Sequence, residues 1–181
     1  MSRTSKAIAG CSWNVPDGPP AVEPRVFREI MASFPSGVVV LTASGEDGLP
    51  HGLTVSAFCP VSLDPPLVLA CVDRTSNTLP AIRKSGFFTI NVLEAGRQDL
   101  ARRMATKALD KFASLTWKPP PVEGAGPVLD DFVAAYACCA IEREIEAGDH
   151  LIFLGRVLAG GAHAGRTPLV YHRRAFIELG G

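Results

Sequence analysis

The sequence predicts a mainly β chain with a few helices, folded as a β-barrel with helical decorations, on three observations. Short runs rich in Val, Leu, Ile, Phe and Thr recur along the chain, bounded by the Gly, Pro, Asp and Asn clusters that punctuate strands. Only a few brief segments carry apolar residues at helical spacing. No GxGxxG follows a first strand, which sets aside a doubly wound parallel sheet.

Each element follows from its residues. Residues 1–23, with Asp17-Gly18-Pro19-Pro20 and almost no periodicity, read as a flexible N-terminal extension, or an arm laid across a partner subunit, and leave 24–181 as one domain. Val26, Phe27, Ile30, Met31 and Phe34 fall at helical spacing behind Pro24, whose fixed φ suits a first turn, and Pro35-Ser36-Gly37 ends that helix. Val38–Thr42 and Leu49–Phe58 flank Gly45-Glu46-Asp47-Gly48 and predict a β-hairpin. Val61–Leu63 and Leu67–Val72 add strand, and their prolines suit edges because proline has no N–H to give a ladder. Ser76-Asn77-Thr78 offers capping side chains to a helix over Leu79–Lys84. Phe87–Leu93 is strand again and Gln98–Met104 helix, while Trp117–Pro127, dense in proline and glycine, predicts a surface loop. Phe132–Glu144, Leu151–Ala159 and Leu169–Leu179 are long β-favouring runs, with Glu146-Ala147-Gly148-Asp149-His150 joining the first to the second.

Composition narrows the function classes. A chain of 181 residues that is 47% hydrophobic supports a single sizeable core. Eighteen Lys and Arg balance 18 Asp and Glu, so no global field draws the protein to nucleic acid or an anionic membrane, and any phosphate site must be local. The five cysteines, Cys11, Cys59, Cys71, Cys138 and Cys139, lack CxxC spacing and lie mostly in apolar runs, which fits buried thiols in a reducing cytoplasm. Arg3 and Lys6 precede polar residues and prolines rather than a signal-peptide core, and no segment reaches membrane-spanning length, so the expectation is a cytoplasmic protein that binds no membrane. HExxH, GxSxG and GxxxxGK[ST] are absent, and His150, His163 and His172 lack metal-site spacing, so neither a metal nor a catalytic nucleophile is expected.

Three stretches can carry chemistry. Gly52-Leu53-Thr54-Val55-Ser56-Ala57-Phe58 places small and hydroxyl residues where a backbone can approach a planar ligand; taken alone it is a weak signal and reads first as an ordinary barrel strand with alternating polar positions. Asp73-Arg74-Thr75-Ser76-Asn77-Thr78 sets hydroxyls, an amide and N–H groups at a helix start with Arg74 close by, which serves a phosphate, simple capping, or both. Gly148-Asp149-His150 is either a plain turn or a histidine presented to a nucleotide. Arg97, Arg102, Arg103, Lys107 and Lys111 form a local basic rim or a solvated helix face.

The order of these motifs is more specific than any one of them. Phe34-Pro35-Ser36-Gly37-Val38-Val39-Val40-Leu41-Thr42, then Gly52 to Phe58, Val61-Ser62-Leu63-Asp64-Pro65-Pro66-Leu67-Val68, Ser85-Gly86-Phe87-Phe88-Thr89-Ile90-Asn91-Val92-Leu93, Lys111-Phe112, Gly148-Asp149-His150 and Pro168-Leu169-Val170-Tyr171 occur in series. The series resembles the flavin reductase family, the NAD(P)H:flavin oxidoreductases that serve two-component flavin-dependent monooxygenases, from about Phe27 to Leu179.

The resemblance implies an FMN-binding split β-barrel, a homodimer with flavin near the subunit interface, FMN or FAD as flavin, and NADH or NADPH as hydride donor to flavin N5. It also implies a partner monooxygenase that receives the reduced flavin. Carried across, Thr54, Val55, Ser56 and Ala57 would line the isoalloxazine and ribityl chain, and Ser76, Asn77 and Thr78 would approach the phosphate. Arg103, Met104 and Lys111 would approach the flavin from the helix and loop after the Asn91 strand, and His150 would help seat the nicotinamide nucleotide. Two positions depart from the family pattern: Ala57 stands where a second serine is frequent, and Met104 where phenylalanine is. The lost hydroxyl removes a hydrogen bond of about 0.5–1.5 kcal/mol, which suits a flavin that is released. The same barrel also admits a flavin-binding electron carrier, or a reductase of another acceptor through tightly bound FMN.

Overall fold

The computed structural model describes residues 21–179, so most of the expected extension over 1–23, and Cys11, lie outside the described residues. The elements run α1 (Pro24–Ala32), β1 (Ser36–Gly37), β2 (Val39–Ser44), β3 (Pro50–Val55), β4 (Phe58–Ser62), β5 (Leu67–Asp73), α2 (Leu79–Ser85) and β6 (Phe87–Leu93). There follow α3 (Gln98–Met104), a single 3-10 turn at Asp130–Phe132, β7 (Val133–Ala147), β8 (His150–Ala162), β9 (Val170–His172) and β10 (Ala175–Ile177).

Seven strands form one antiparallel sheet in the order β3-β2-β6-β7-β8-β5-β4, and β1-β9-β10 form a second, smaller one. The large sheet curls until β3 meets β5 without a hydrogen-bonded ladder between them, which leaves a split in the barrel. The expected edge role holds for one of the two proline-flanked strands: β4, with Pro60, is an edge strand and is bulged there, whereas β5, which follows Pro65 and Pro66, lies inside the sheet between β4 and β8.

β2 explains how the core is organised. Its apolar run is continuous rather than alternating because both faces are covered. Val39 and Leu41 point into the barrel with Val68, Ala70, Phe88 and Phe153, and α2 joins that cluster through Ile82. Val38 and Val40 point outward against Leu100, Ala101 and Met104 of α3 and against Leu169, so α3 is seated on the outside of the barrel. Packing inside is tight enough that a Cβ on Gly155 would stand 2.4 Å from the Phe88 ring.

Several expectations need correction. The run Leu49–Phe58 is not one strand: β3 ends at Val55, Ser56 and Ala57 lie between strands, and Phe58 opens β4, which pairs with β5 instead of β2. Leu169–Leu179 is a hairpin, folded back at Arg173 and Arg174, whose φ values are +48° and +63°. The loop predicted to lie on the surface after Trp117 is buried at its end, Ala125, Val128 and Leu129 being 3% exposed or less. Its backbone is bound by polar side chains on the outer face of β2 and β6: Thr42 Oγ1 donates to Pro127 O at 2.7 Å and Thr89 Oγ1 to Gly126 O at 2.7 Å. Asn91 Oδ1 accepts from Leu129 N at 2.8 Å. Thr78 is the N-cap of α2 but makes no side-chain cap; the Ser76 hydroxyl instead accepts the Thr78 N–H at 3.2 Å. Among the described cysteines, Cys138 and Cys139 are buried as expected, with burial pushing the Cys139 thiol up to about 12, whereas Cys59 is exposed.

Candidate functional site

The site is built where β3 leaves the sheet. As an edge strand, β3 has backbone donors and acceptors along its outer side that no neighbouring strand takes up. α3 is fastened there by Thr54, whose hydroxyl donates to Ala101 O at 2.7 Å. Two grooves meet at Thr54 and Ala105. One, of about 210 Å³, runs between Leu53 and Met104 to the turn Asp73–Asn77. The other, of about 740 Å³, runs past Ser56, Gln98 and Arg102 to Tyr171, Arg174 and Phe176. A third hollow of about 500 Å³ adjoins it at Ser56, Tyr171 and Arg174 and is walled by Ala57 and the apolar face of α1.

The turn Asp73–Asn77 is pre-shaped by its own side chains. Asp73 Oδ1 accepts the Thr75 N–H at 2.6 Å and the Thr75 hydroxyl at 2.8 Å. The backbone bond from Thr75 is the main reason that the Asp73 carboxyl is held below its usual range, the Thr75 hydroxyl adding to it and His150 and Lys107 contributing less. The sequence suggested that backbone N–H groups here would await a phosphate, yet the turn itself uses those of Thr75, Ser76, Thr78 and Leu79. What faces the groove is side-chain chemistry: the Ser76 and Thr75 hydroxyls, the Asn77 amide and Lys107. Lys107 Nζ donates to Thr75 Oγ1 at 3.1 Å, and Asn77 Nδ2 donates to Lys107 O at 3.0 Å. Arg74 is turned away to Glu146 at 3.1 Å. The cation at the turn is therefore Lys107, supplied by the segment after α3; its signal in the sequence was only membership of a basic cluster.

The remaining predicted residues divide. Ser56 and Ala57 are exposed at the groove, whereas Val55 is buried in the barrel core and offers only its backbone. Met104 is fully buried and floors the smaller groove. Lys111 is 8% exposed, and its ammonium donates to Gly52 O at 3.1 Å and Met104 O at 3.0 Å, fixing β3 to the end of α3. Burial lowers its pKa, and a third N–H is left for a ligand in the groove that it lines. Arg103 does not join the group: its guanidinium donates to Asp110 O at 3.2 Å and to Ala113 O, holding the loop after α3. Thr78 is 2% exposed and sits behind the turn. His150 stands opposite Asp73 in the β5–β8 pairing, with Nδ1 2.8 Å from Asp149 Oδ1, beside the turn and outside the groove wall.

This donor set suits a flavin nucleotide. The turn with Lys107 and Lys111 offers hydroxyls, an amide and two cations to one phosphate. The exposed end of β3 offers unpaired backbone groups and a flat, small-residue surface to a ring.

Comparison with known proteins agrees with this geometry. The family model described as "Flavin reductase like domain" matches residues 31–180. A flavin reductase (NADH) of Kitasatospora aureofaciens is 41% identical over 159 residues, covering 87% of this chain and 83% of that protein. The reductase subunit of a flavin-dependent monooxygenase from Rhodococcus jostii is 35% identical, covering 88% of this chain and 80% of its own. Among solved structures, an NADH:FAD oxidoreductase of Streptomyces globisporus in complex with NAD and FAD fragments superposes with a TM-score of 0.81 at 34% identity, covering 90% of this chain and 98% of that one. The split barrel, the groove beside β3 and the matched residues converge on one conclusion: the chain belongs to the flavin reductase family.

Proposed function

We propose that the protein is an NAD(P)H:flavin oxidoreductase that reduces free FMN or FAD and supplies reduced flavin to a partner monooxygenase. The observation that carries this reading is a pair of grooves that meet at Thr54 and Ala105, one with a one-phosphate turn at Thr75, Ser76, Asn77 and Lys107, the other opening past Ser56, with Ala57 exposed in the hollow that adjoins it. The chemistry supplied by bound flavin and nicotinamide is hydride transfer to flavin N5, with a solvent proton completing two-electron reduction. The protein's share is positioning, since the reacting atoms must meet at roughly 3–3.5 Å in alignment. Lys111 holds β3 and α3 in register, Thr54 locks the same pair from above, and Lys107 neutralises phosphate charge. Ser56 and the β3 edge orient the ring, while His150, fixed by Asp149, lies beside the turn and outside the groove wall.

A second copy of the chain completes the molecule in this reading. Phe27, Ile30 and Met31 on α1, and Phe34 just after it, are all about half exposed or more. The outer face of the barrel adds a row in which Leu69 lies opposite Leu154 and Ile152 opposite both Cys71 and Ile145. These exposed and half-buried apolar residues are the surface we assign to the interface between copies. Among the described residues, no helix is long and apolar enough to cross a membrane.

Oxidation of NADH and of NADPH, followed with no flavin, with FMN and with FAD under air, tests the proposal. Turnover that rises and saturates with free flavin supports it and fixes both preferences. A protein that binds flavin and turns over in no combination would be a carrier.

A further inference from the structure

We propose that Arg174 is a specificity residue of the groove, receiving the diphosphate of a dinucleotide at the end remote from the Asp73–Asn77 turn. This deepens the reductase reading and rests on it. The smaller groove provides for one phosphate. The larger groove, which meets it at Thr54 and Ala105, ends at Tyr171, Phe176 and Arg174, and that end has its own cation and aromatic surface.

Three observations converge on Arg174. First, its backbone is unusual: among the described residues six glycines take positive φ and only three other residues do, Ser114 and the two arginines at the tip of the β9–β10 hairpin. A two-residue hairpin turn demands that conformation and favours Gly or Asn, so a long, charged side chain stands here against backbone preference, and such outliers cluster at functional positions. Second, the tip is held in place. Arg173 N donates to Ala32 O at 2.7 Å, and Tyr171 and Phe176 pack with ring centroids 5.2 Å apart. Third, its charge is free among the described residues. Arg74, Arg83, Arg97, Arg102, Arg156 and Arg166 each face a carboxylate, and Arg103 is bound to carbonyls. Among the described residues Arg28, Arg143, Arg173 and Arg174 have neither kind of partner; of these four only Arg174 lines the larger groove, and Arg28 shares with it the hollow beside α1.

The charges around it are consistent with an anion. Asp99 lines the same groove but is engaged by Arg102 at 2.9 Å, and Arg102 also lies 5.2 Å above the Phe176 ring. Arg174 thus leaves the groove with one uncompensated positive charge. FMN has a single phosphate, for which the turn suffices. A diphosphate belongs either to the nicotinamide donor or to FAD, and the two sources can be told apart.

Arg174→Gly removes the guanidinium while relieving the backbone, and Arg174→Gln removes the charge while keeping the length. Equilibrium dissociation constants for NADH, NADPH, FMN and FAD, measured by fluorescence for the full chain and both variants, read the proposal without requiring turnover. The expected result is about tenfold weaker binding in both variants of the nicotinamide nucleotides, of FAD, or of both, with FMN within twofold, and a difference that shrinks as salt rises. Loss confined to NADH and NADPH assigns the site to the donor; loss confined to FAD assigns it to the flavin. Dinucleotide binding within twofold of the unsubstituted protein, or an equal loss for FMN, would overturn the proposal. A protein that binds dinucleotides through Arg174 but oxidises no NAD(P)H would overturn the reductase reading alone.

Discussion

Lys111 is the residue on which the groove most depends. It is a buried ammonium held by two carbonyls, with no carboxylate bridging it among the described residues. Replacing it with methionine leaves Gly52 O and Met104 O without their donor, and should cost about 1–3 kcal/mol in urea unfolding. The pH dependence has a definite sign. Burial lowers the folded-state pKa, so between that value and the unfolded value of about 10.4 the unfolded chain binds more protons, and stability rises with pH across this window. Lys111→Met should flatten that rise, measured by denaturant midpoints at successive alkaline pH values. The hydroxyl residues Ser56 and Ser76 were legible as site candidates only through the order of the motifs around them, since each alone has an ordinary use, in an alternating strand or as a helix cap. The choice between Arg74 and Lys107 was not legible, since it depends on Glu146, a distant residue that draws Arg74 outward.

The segment from Trp117 to Asp130 shows how a proline-rich loop becomes part of a core. Its composition announced a loop correctly, but not its burial. The missed signal lay in the strands: Thr42, Thr89 and Asn91 are polar residues with no exposure, and buried polar groups require partners. The loop backbone supplies those partners, and the approach is so close that a Cβ on Gly126 would fall 2.2 Å from the Thr42 carbonyl carbon. Gly126→Ala should therefore destabilise the fold by at least about 1–3 kcal/mol, measured by thermal or urea unfolding, because the obstructing atoms are backbone. Asp130 anchors the end of the loop through Lys118 and through His163 Nε2 at 3.0 Å. Lys118 is the main cause that holds its carboxyl below the usual range, with burial opposing. The stability gap between the protein and Asp130→Asn should be full above about pH 4, the unfolded carboxylate value, and close as pH falls through the lowered folded value.

Element identities were largely readable from local pattern, because hairpin turns, prolines and helical spacing act over a few residues. Strand order was not: β6 lies between β2 and β7, and β8 between β7 and β5, through pairings set by distant segments and by how the sheet curls. The split that this order leaves beside β3 is what opens the candidate groove. The apolar face of α1 and the Leu69–Leu154 row predict a dimer in solution. Light scattering should report twice the chain mass, and Ile30→Glu combined with Met31→Glu should yield a monomer with much weaker flavin binding.

The most direct measurement is anaerobic. Catalytic protein is mixed with excess NADH or NADPH and a large molar excess of FMN or FAD, and the flavin absorbance is followed with no oxygen present. Many equivalents of flavin bleached per protein would establish that flavin enters, is reduced and leaves. Bleaching that stops at one equivalent, or none at all, would contradict a diffusible-flavin reductase.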